Sequence, residues 1–419
     1  MKNIGFISTR ISGTDGVSHE IEKWAAILER NGFSCFYAAG AVDRTPARSF
    51  IIDEAHFRHP DIEKINKSVF GKSVRSRDIT QLIHSMAAHI RQELARFIRM
   101  FDIDYIIAEN TLAIPMNIPL GIAITELIAE TGVPAVGHHH DFAWERDRFM
   151  VNAAGDYIQM CFPSVLPSLR HVVINSLALS SLAYRRGVPS AVIPNTFDFG
   201  RPPAPASSAL IADLKNQAGI GKDEYFVLQP TRVVPRKCIE RSIDLVSGLD
   251  GAGRKLVISH PSGDEGEEYH RKLLEYAGMR NVKLIFIDNI VSPGRSASKE
   301  RPFTIGDVYQ AADLVTYPSA YEGFGNAFLE AVYYRRPLMM NRYPVFIADI
   351  EPKGFELCLI DGFITGGTIR EVGNMLSDAS ARRRMAEKNY NTAHDNYSFE
   401  RLEELLLQVM RGFKHQPPA

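Results

Sequence analysis

The sequence predicts an α/β protein made of two doubly wound parallel sheets, and three observations carry that reading. Short runs rich in β-branched and aromatic residues alternate with longer segments of helical periodicity, the pattern of a parallel sheet covered by helices. About six such runs fall in each half of the 419 residues. Between the halves, residues 198–222 (DFGRPPAPASSALIADLKNQAGIGK) concentrate proline, alanine, serine and glycine, which is the composition of an interdomain linker.

In chain order the first half offers strands at NIGFIS (3–8), FSCFYAA (33–39), DYIIAE (104–109), PAVG (134–137), HVVIN (171–175) and SAVIP (190–194). The second half offers YFVLQ (225–229), KLVIS (255–259), VKLIFI (282–287), DLVTY (313–317), PLMMN (337–341) and ELCLI (356–360). The first domain is therefore expected over 1–197, the linker over 198–222, and the second domain from 223 onward. Ile79, Leu82, Ile83, Met86, Ile90, Leu94, Phe97, Ile98 and Phe101 keep helical spacing over six turns. Residues 64–99 around this stripe hold eight basic and two acidic residues. The stripe is wide and regular, so the segment reads as a helix covering the first sheet with a solvated basic flank. Residues 261–270 and 291–302 read as polar loops that follow strands, where ligand crevices form in open α/β sheets.

Composition excludes several functional classes. Lys and Arg number 48 against 49 Asp and Glu, which removes the polybasic signature of a nucleic-acid binder. Cys35, Cys161, Cys238 and Cys358 form no CxxC pair, so a reducing, cytoplasmic setting is expected. Arg10 interrupts the opening apolar run, which reads as a first strand instead of a leader. The longest weakly polar stretch, 112–125, contains Pro115, Asn117 and Pro119 and is shorter than the ~20 residues that span a bilayer.

Common motifs fail one by one. GIGK at 219–222 has Asn216 where a P-loop needs glycine and Asp223 where it needs a hydroxyl, and neither GxSxG nor GxGxxG is present. What the first strand does lead into is the turn Gly13-Thr14-Asp15-Gly16, with a helix opening at Val17; such a junction aims backbone N–H groups at the sheet's carboxyl edge. His138-His139-His140-Asp141 follows PAVG, and adjacent histidines at a strand's carboxyl end favour a functional role. A metal set from His138, His140 and Asp141 is weakened by the lack of a second ligand cluster. Asp102-Ile103-Asp104, the one DxD, precedes its strand and reads as a strand-entry turn.

The second half carries the sharper signals. Arg232 and Lys237, in the loop PTRVVPRK after YFVLQ, suit two oxygens of a diphosphate. In DLVTYPSAYEGFGNAFLEAVYYRRPLMM a strand ends at Tyr317, a loop bearing Gly323 and Gly325 follows, and a helix then carries Glu330. Glycines admit close approach of a ligand to the backbone, a helix N-terminus offers N–H donors, and Glu322 and Glu330 supply acceptors for polyol hydroxyls.

Glu322-x7-Glu330 within PSAYEGFGNAFLEA, preceded by Arg232 and Lys237, resembles the signature of the retaining family 4 glycosyltransferases of the GT-B fold. Asp15-Gly16-Val17, His140-Asp141 and IPNTFD (193–198) fall in that family's order, so the resemblance extends over nearly the whole chain. It implies two Rossmann-like domains facing a central cleft, with a nucleotide-sugar domain over 223–395 and a final helix, 396–419, crossing back to the first. It further implies that Arg232 and Lys237 neutralise the leaving diphosphate and Glu330 binds the ribose. Glu322, with the backbone of Gly323, Phe324, Gly325 and Asn326, would hold the transferred sugar. The acceptor side would comprise Gly16, Val17, His139, His140 and Asp141, with His140 at the reaction centre.

The expected activity is transfer of a hexose, glucose or mannose, from a nucleoside diphosphate sugar to a hydroxyl, with retention and without a metal or other cofactor. A small carbohydrate or hydroxy-acid acceptor is expected, with neither nucleic acid nor stable membrane insertion involved. Competing classes are a phosphorylase or sugar-nucleotide epimerase of the same shape, or a membrane-surface transferase acting on lipid or polysaccharide.

Overall fold

The computed structural model describes residues 2–13, 16–250, 253–260, 267–292, 298 and 300–415. Asp15, residues 261–266 of the first expected polar loop, and 293–297 with Lys299 of the second lie outside the described residues. The chain divides into two compact units, one of Met1–Pro194 with Leu402–Ala419 and the other of Asn195–Arg401.

The first unit holds a parallel sheet of β1 (Lys2–Ile7), β2 (Phe33–Ala39), β3 (Ser49–Ile51), β4 (Tyr105–Glu109), β5 (Ala135–His139), β6 (Leu169–Val173) and β7 (Ser190–Val192). Their order is β3-β2-β1-β4-β5-β6-β7, so the winding reverses between β1 and β4, where a doubly wound sheet opens its ligand crevice. The edge strand β3 has three residues, too few for any pattern to show in the sequence. Strands of a sheet covered on both faces should be apolar throughout. Ile106, Ile107 and Ala108 of β4 obey this at 0% exposure, and Glu109, also at 0%, breaks it. The expected long helix runs Arg77–Met100 and buries Ile79, Ile83, Met86, Ile90, Leu94 and Phe97. It starts where the Ser76 side chain accepts a hydrogen bond from Ile79 N–H. Asp104 accepts from the Asn3 backbone at 2.7 Å and from Lys2 at 3.0 Å, tying the entries of β1 and β4 together at the sheet's amino end.

The second unit repeats the plan with β8 (Val227–Gln229), β9 (Lys255–Ile258), β10 (Lys283–Phe286), β11 (Leu314–Tyr317), β12 (Leu338–Asn341) and β13 (Cys358–Ile360), ordered β10-β9-β8-β11-β12-β13. The reversal lies between β8 and β11. Those are the strands that lead into Arg232–Lys237 and into Glu322.

Two boundaries differ from the sequence reading. The segment 198–222 is structured: Ser208–Gln217 is a helix, Leu214 and Phe199 are buried, and Lys215 reaches Asp313 at 3.0 Å. A few apolar residues anchor it to the second unit despite its linker-like composition. Strand β5 also runs two residues past PAVG, so His138 and His139 are strand residues.

Candidate functional site

In the second unit, the loop after β8 and the loop after β11 meet. Lys237 Nζ donates to Glu322 Oε1 at 2.5 Å and Arg236 Nη1 donates to Oε2 at 2.8 Å. A short helical turn, Pro235–Lys237, supplies both cations, and the left-handed Cys238 (φ 48°) then turns the chain into the helix Ile239–Gly248. Burial alone would push the Glu322 carboxyl up, but Lys237 and Arg236 hold it below the usual carboxylate range. Burial pulls the Lys237 ammonium the other way, below its ordinary range, while Glu322 resists.

Beneath this cluster lies a buried polar network. Gln229 Oε1 accepts from Ser242 at 2.8 Å and from Thr316 at 2.9 Å, and Gln229 Nε2 donates to Thr231 at 2.8 Å. It joins β8, β11 and the helix Ile239–Gly248, which fixes the base of the cationic loop.

Arg232, expected with Lys237 to meet a diphosphate, is exposed and lies near Lys237. The guanidinium on Glu322 belongs to Arg236, a residue not singled out from the sequence. Alternation along an irregular loop carries no period, so which of two arginines turns inward is not legible from spacing. His260, two residues past β9, lies near Lys237 and Arg232 and was not singled out from the sequence. Burial, with Lys237 and Arg232 alongside, brings its pKa down to about 4, so the ring is neutral at pH 7.

The glycine loop leads into the helix Asn326–Tyr333. Gly325 has φ +128°, and a Cβ there would sit 2.5 Å from the Tyr343 hydroxyl, so both conformation and space require glycine. Gly323 is exposed, as is Asn326, whose Oδ1 accepts from Asn195 at 2.7 Å. The Phe324 ring is 2% exposed and packs edge-on against Tyr397. Only its backbone remains available, and its carbonyl already accepts from Tyr343 at 2.6 Å. Glu330 Oε2 accepts from the buried Tyr309 hydroxyl at 2.6 Å, which sets the direction of that carboxylate.

In the first unit, Glu109 and His138 are direct register partners on β4 and β5. His138 Nδ1 lies 3.0 Å from Glu109 Oε2, and His140 Nε2 lies 2.5 Å from Glu109 Oε1. The helix Gly16–Arg30 covers this face; its Trp24 stacks on His138 at 4.1 Å between ring centroids. Gly16 and Val17 open that helix, and Gly13 N–H donates to Asp43 at 2.8 Å in the loop before it. Burial opposes ionisation of Glu109, yet His138 and His140 hold its pKa down at about 2. Burial likewise disfavours the His140 imidazolium, but Glu109, with Glu20 and Asp141 nearby, lifts its pKa above the ordinary imidazole value.

Because β5 continues through His139, alternation sends that residue to the opposite face. There its Nε2 lies 3.0 Å from His171 Nδ1 and it is 0% exposed. His139 is therefore removed from the expected acceptor group. Asp141 is tied back by Arg146 at 2.5 Å and by Asn110 Nδ2 at 3.3 Å. Glu109, His138 and His140 offer atoms within 4.8 Å of one another, a spacing that would admit a cation, although both imidazoles already bond the carboxylate. A lone glutamate ending an apolar strand was the sequence signal for Glu109.

Comparison with known proteins agrees with this architecture. The model of the family "Glycosyl transferases group 1" matches residues 211–392. The chain is 32% identical over 381 residues to mannosylglucosylglycerate synthase of Petrotoga mobilis, covering 84% of this chain and 85% of the relative. It is 30% identical to the enzyme of that name from Thermotoga maritima, covering 96% of this chain and 98% of the relative. Sucrose-phosphate synthase from Thermosynechococcus elongatus shares its fold, with a TM-score of 0.68 and 13% identity over 99% of both chains. Among the described residues no helix is long and apolar enough to cross a membrane. The fold is GT-B, and the chain is a glycosyltransferase belonging to the glycosyl transferases group 1 family.

Proposed function

We propose that the protein transfers mannose from a nucleoside diphosphate sugar to a hydroxyl of a small hydroxy-acid glycoside, of the glucosylglycerate class, with retention and without a metal. One observation carries the reading: Glu322 is held by Lys237 and Arg236 at the switch point of the second sheet, where cations for a diphosphate and an acceptor for sugar hydroxyls stand together. The names of the two relatives supply the sugar and the acceptor class.

The chemistry follows from the charges. Departure of a nucleoside diphosphate develops negative charge on a phosphate oxygen, and fixed cations facing that oxygen stabilise the transition state more than the ground state. Arg236 and Lys237, with Arg232 beside them, fill that role. Glu322 accepts from sugar hydroxyls, Glu330 from the ribose, and His140 faces the acceptor. The departing phosphate takes the acceptor proton, and the new glycosidic bond forms on the face the phosphate leaves.

Incubation with GDP-mannose or UDP-glucose and either D-glycerate or glucosylglycerate tests this, with products followed by proton NMR. The expected result is an α-mannosidic product from an α-linked donor, formed equally well in EDTA. Product of inverted configuration, complete loss in EDTA, or transfer only to a lipid would each overturn the corresponding part.

A further inference from the structure

We propose that Glu109 is a positioning residue for His140: it fixes the imidazole as the Nε2–H tautomer, so that Nδ1 is the ring atom presented to the acceptor hydroxyl. The inference rests on the proposed function only in naming what His140 faces.

The geometry decides the tautomers. An ionised carboxylate is acceptor-only, so each ring nitrogen bonded to Glu109 carries its hydrogen. That assigns Nε2–H to His140 and Nδ1–H to His138. The carboxylate is ionised although fully covered, because two ring nitrogens converge on it and hydrogen bonding to the charged form outweighs burial. His138 Nε2 is buried and has no partner among the described residues. A hydrogen there would be a buried donor without a partner, so the hydrogen on Nδ1, facing Glu109, is the one His138 can satisfy. The His138 ring lies between Trp24 and His140, with ring centroids 4.1 and 4.5 Å away.

His140 is held at its backbone as well. Its N–H donates to Asn110 Oδ1 at 3.1 Å, and Asn110 N–H donates back to the His138 carbonyl at 2.8 Å. Asn110 sits in the left-handed region at φ 57°, which asparagine adopts more readily than most residues. With Nε2 committed to Glu109, His140 has Nδ1 left to accept a hydrogen bond, and its side chain is 14% exposed while Glu109 is fully covered. The charged groups facing the ring are Glu109 from β4, Glu20 from the helix Gly16–Arg30, itself bonded to Lys23, and Asp141, itself bonded to Arg146.

Long-range proton–nitrogen correlation on the full chain labelled with ¹⁵N-histidine reads the tautomers without any turnover, and a His140→Asn sample assigns the signals. Expected at pH 8 is Nε2–H on His140 and Nδ1–H on His138; Nδ1–H on His140 overturns the proposal. In Glu109→Gln, kcat should fall about 10- to 100-fold with the donor KM changed less than twofold, the scale of losing a partner that orients an imidazole. The acid limb of kcat/KM should move to lower pH, because the anion that favours the imidazolium is gone, and Glu109→Asp should recover part of the rate. An unmoved limb with unchanged kcat overturns the proposal. So does a stoichiometric zinc ion that shifts both imidazoles and is lost in Glu109→Gln, since that would make the three residues a metal site. Absence of transfer from every donor, with the tautomers as expected, would instead refute the proposed function.

Discussion

Lys237 and Glu322 are 85 residues apart in the chain, and their side chains meet at 2.5 Å with 10% and 8% of their surface exposed. A pair this covered is weak as a stability device, because desolvation offsets much of the attraction, but removing one partner strands the other charge. Arg236 shares the carboxylate at 2.8 Å, so neither cation is the sole counter-ion. On the proposed function, a donor diphosphate would meet here cations already gathered and partly desolvated, which would lower the reorganisation that its binding requires.

Replacing Lys237 by methionine keeps the stem and removes the charge. The expected loss in kcat/KM is about 100- to 1,000-fold, the range found when one donor to a developing anion is deleted. Arg236→Met should lose at least tenfold, and Arg232→Met less than either. Steady-state kinetics on the three variants ranks them; an Arg232 effect larger than that of Arg236 would contradict the geometry.

Tyr309→Phe removes the hydroxyl that donates to Glu330 Oε2 at 2.6 Å and leaves the ring packing intact. A hydrogen bond to a charged group contributes about 1.5–3 kcal/mol. If Glu330 grips the ribose, the donor KM should rise roughly 3- to 30-fold with kcat little changed, while Tm falls by a few degrees. An unchanged KM with the same fall in Tm would assign Tyr309 a packing role alone.

Gly325→Ala should abolish most activity and cost about 1–3 kcal/mol of stability, since alanine at φ +128° is strained. The Tyr343 hydroxyl adds a clash at 2.5 Å. Combining it with Tyr343→Phe removes that clash and not the backbone strain, so recovery should be partial. Urea unfolding of the single and double variants separates the two costs.

The buried His139–His171 pair gives a pH signature. Burial depresses both rings, His171 to about 4, while in the unfolded chain both titrate near the ordinary 6.5. A base with a depressed folded pKa leaves the unfolded state holding more protons between those values. Stability is therefore intact above about pH 6.5 and falls as pH drops toward 4. For His171 alone this amounts to about 2 kcal/mol between pH 7 and 5. His171→Asn should flatten that limb by a comparable amount, and urea titrations at the two pH values measure it. An identical acid limb in the variant would show that the pair is not buried neutral.

Particular residues show how much was legible in advance. The strands were visible wherever a run of four or more apolar residues was bounded by turn residues, as at FSCFYAA, which is β2 residue for residue. Glu322 and Lys237 were visible because strand-to-helix loops at the carboxyl edge are where a doubly wound fold collects ligands. His139 was misplaced by one fact, the length of β5: alternation carried two residues past PAVG turns it to the face opposite His138, against His171. Arg236 was missed because a loop has no period from which to read an orientation, and Glu109 because a single buried carboxylate acquires meaning only when its neighbours are known.

The two parallel sheets, their order along the chain and the cationic and glycine loops could be read from the residues alone, because period, turn chemistry and strand-to-helix alternation are local properties. Which side chains share an atom emerged only on folding: Arg236 with Lys237 on Glu322, Tyr309 on Glu330, and one carboxylate, Glu109, between His138 at the end of β5 and His140 just beyond it. Those pairings depend on strand register and on which groups are driven out of water together, and both arise only when distant segments are brought side by side.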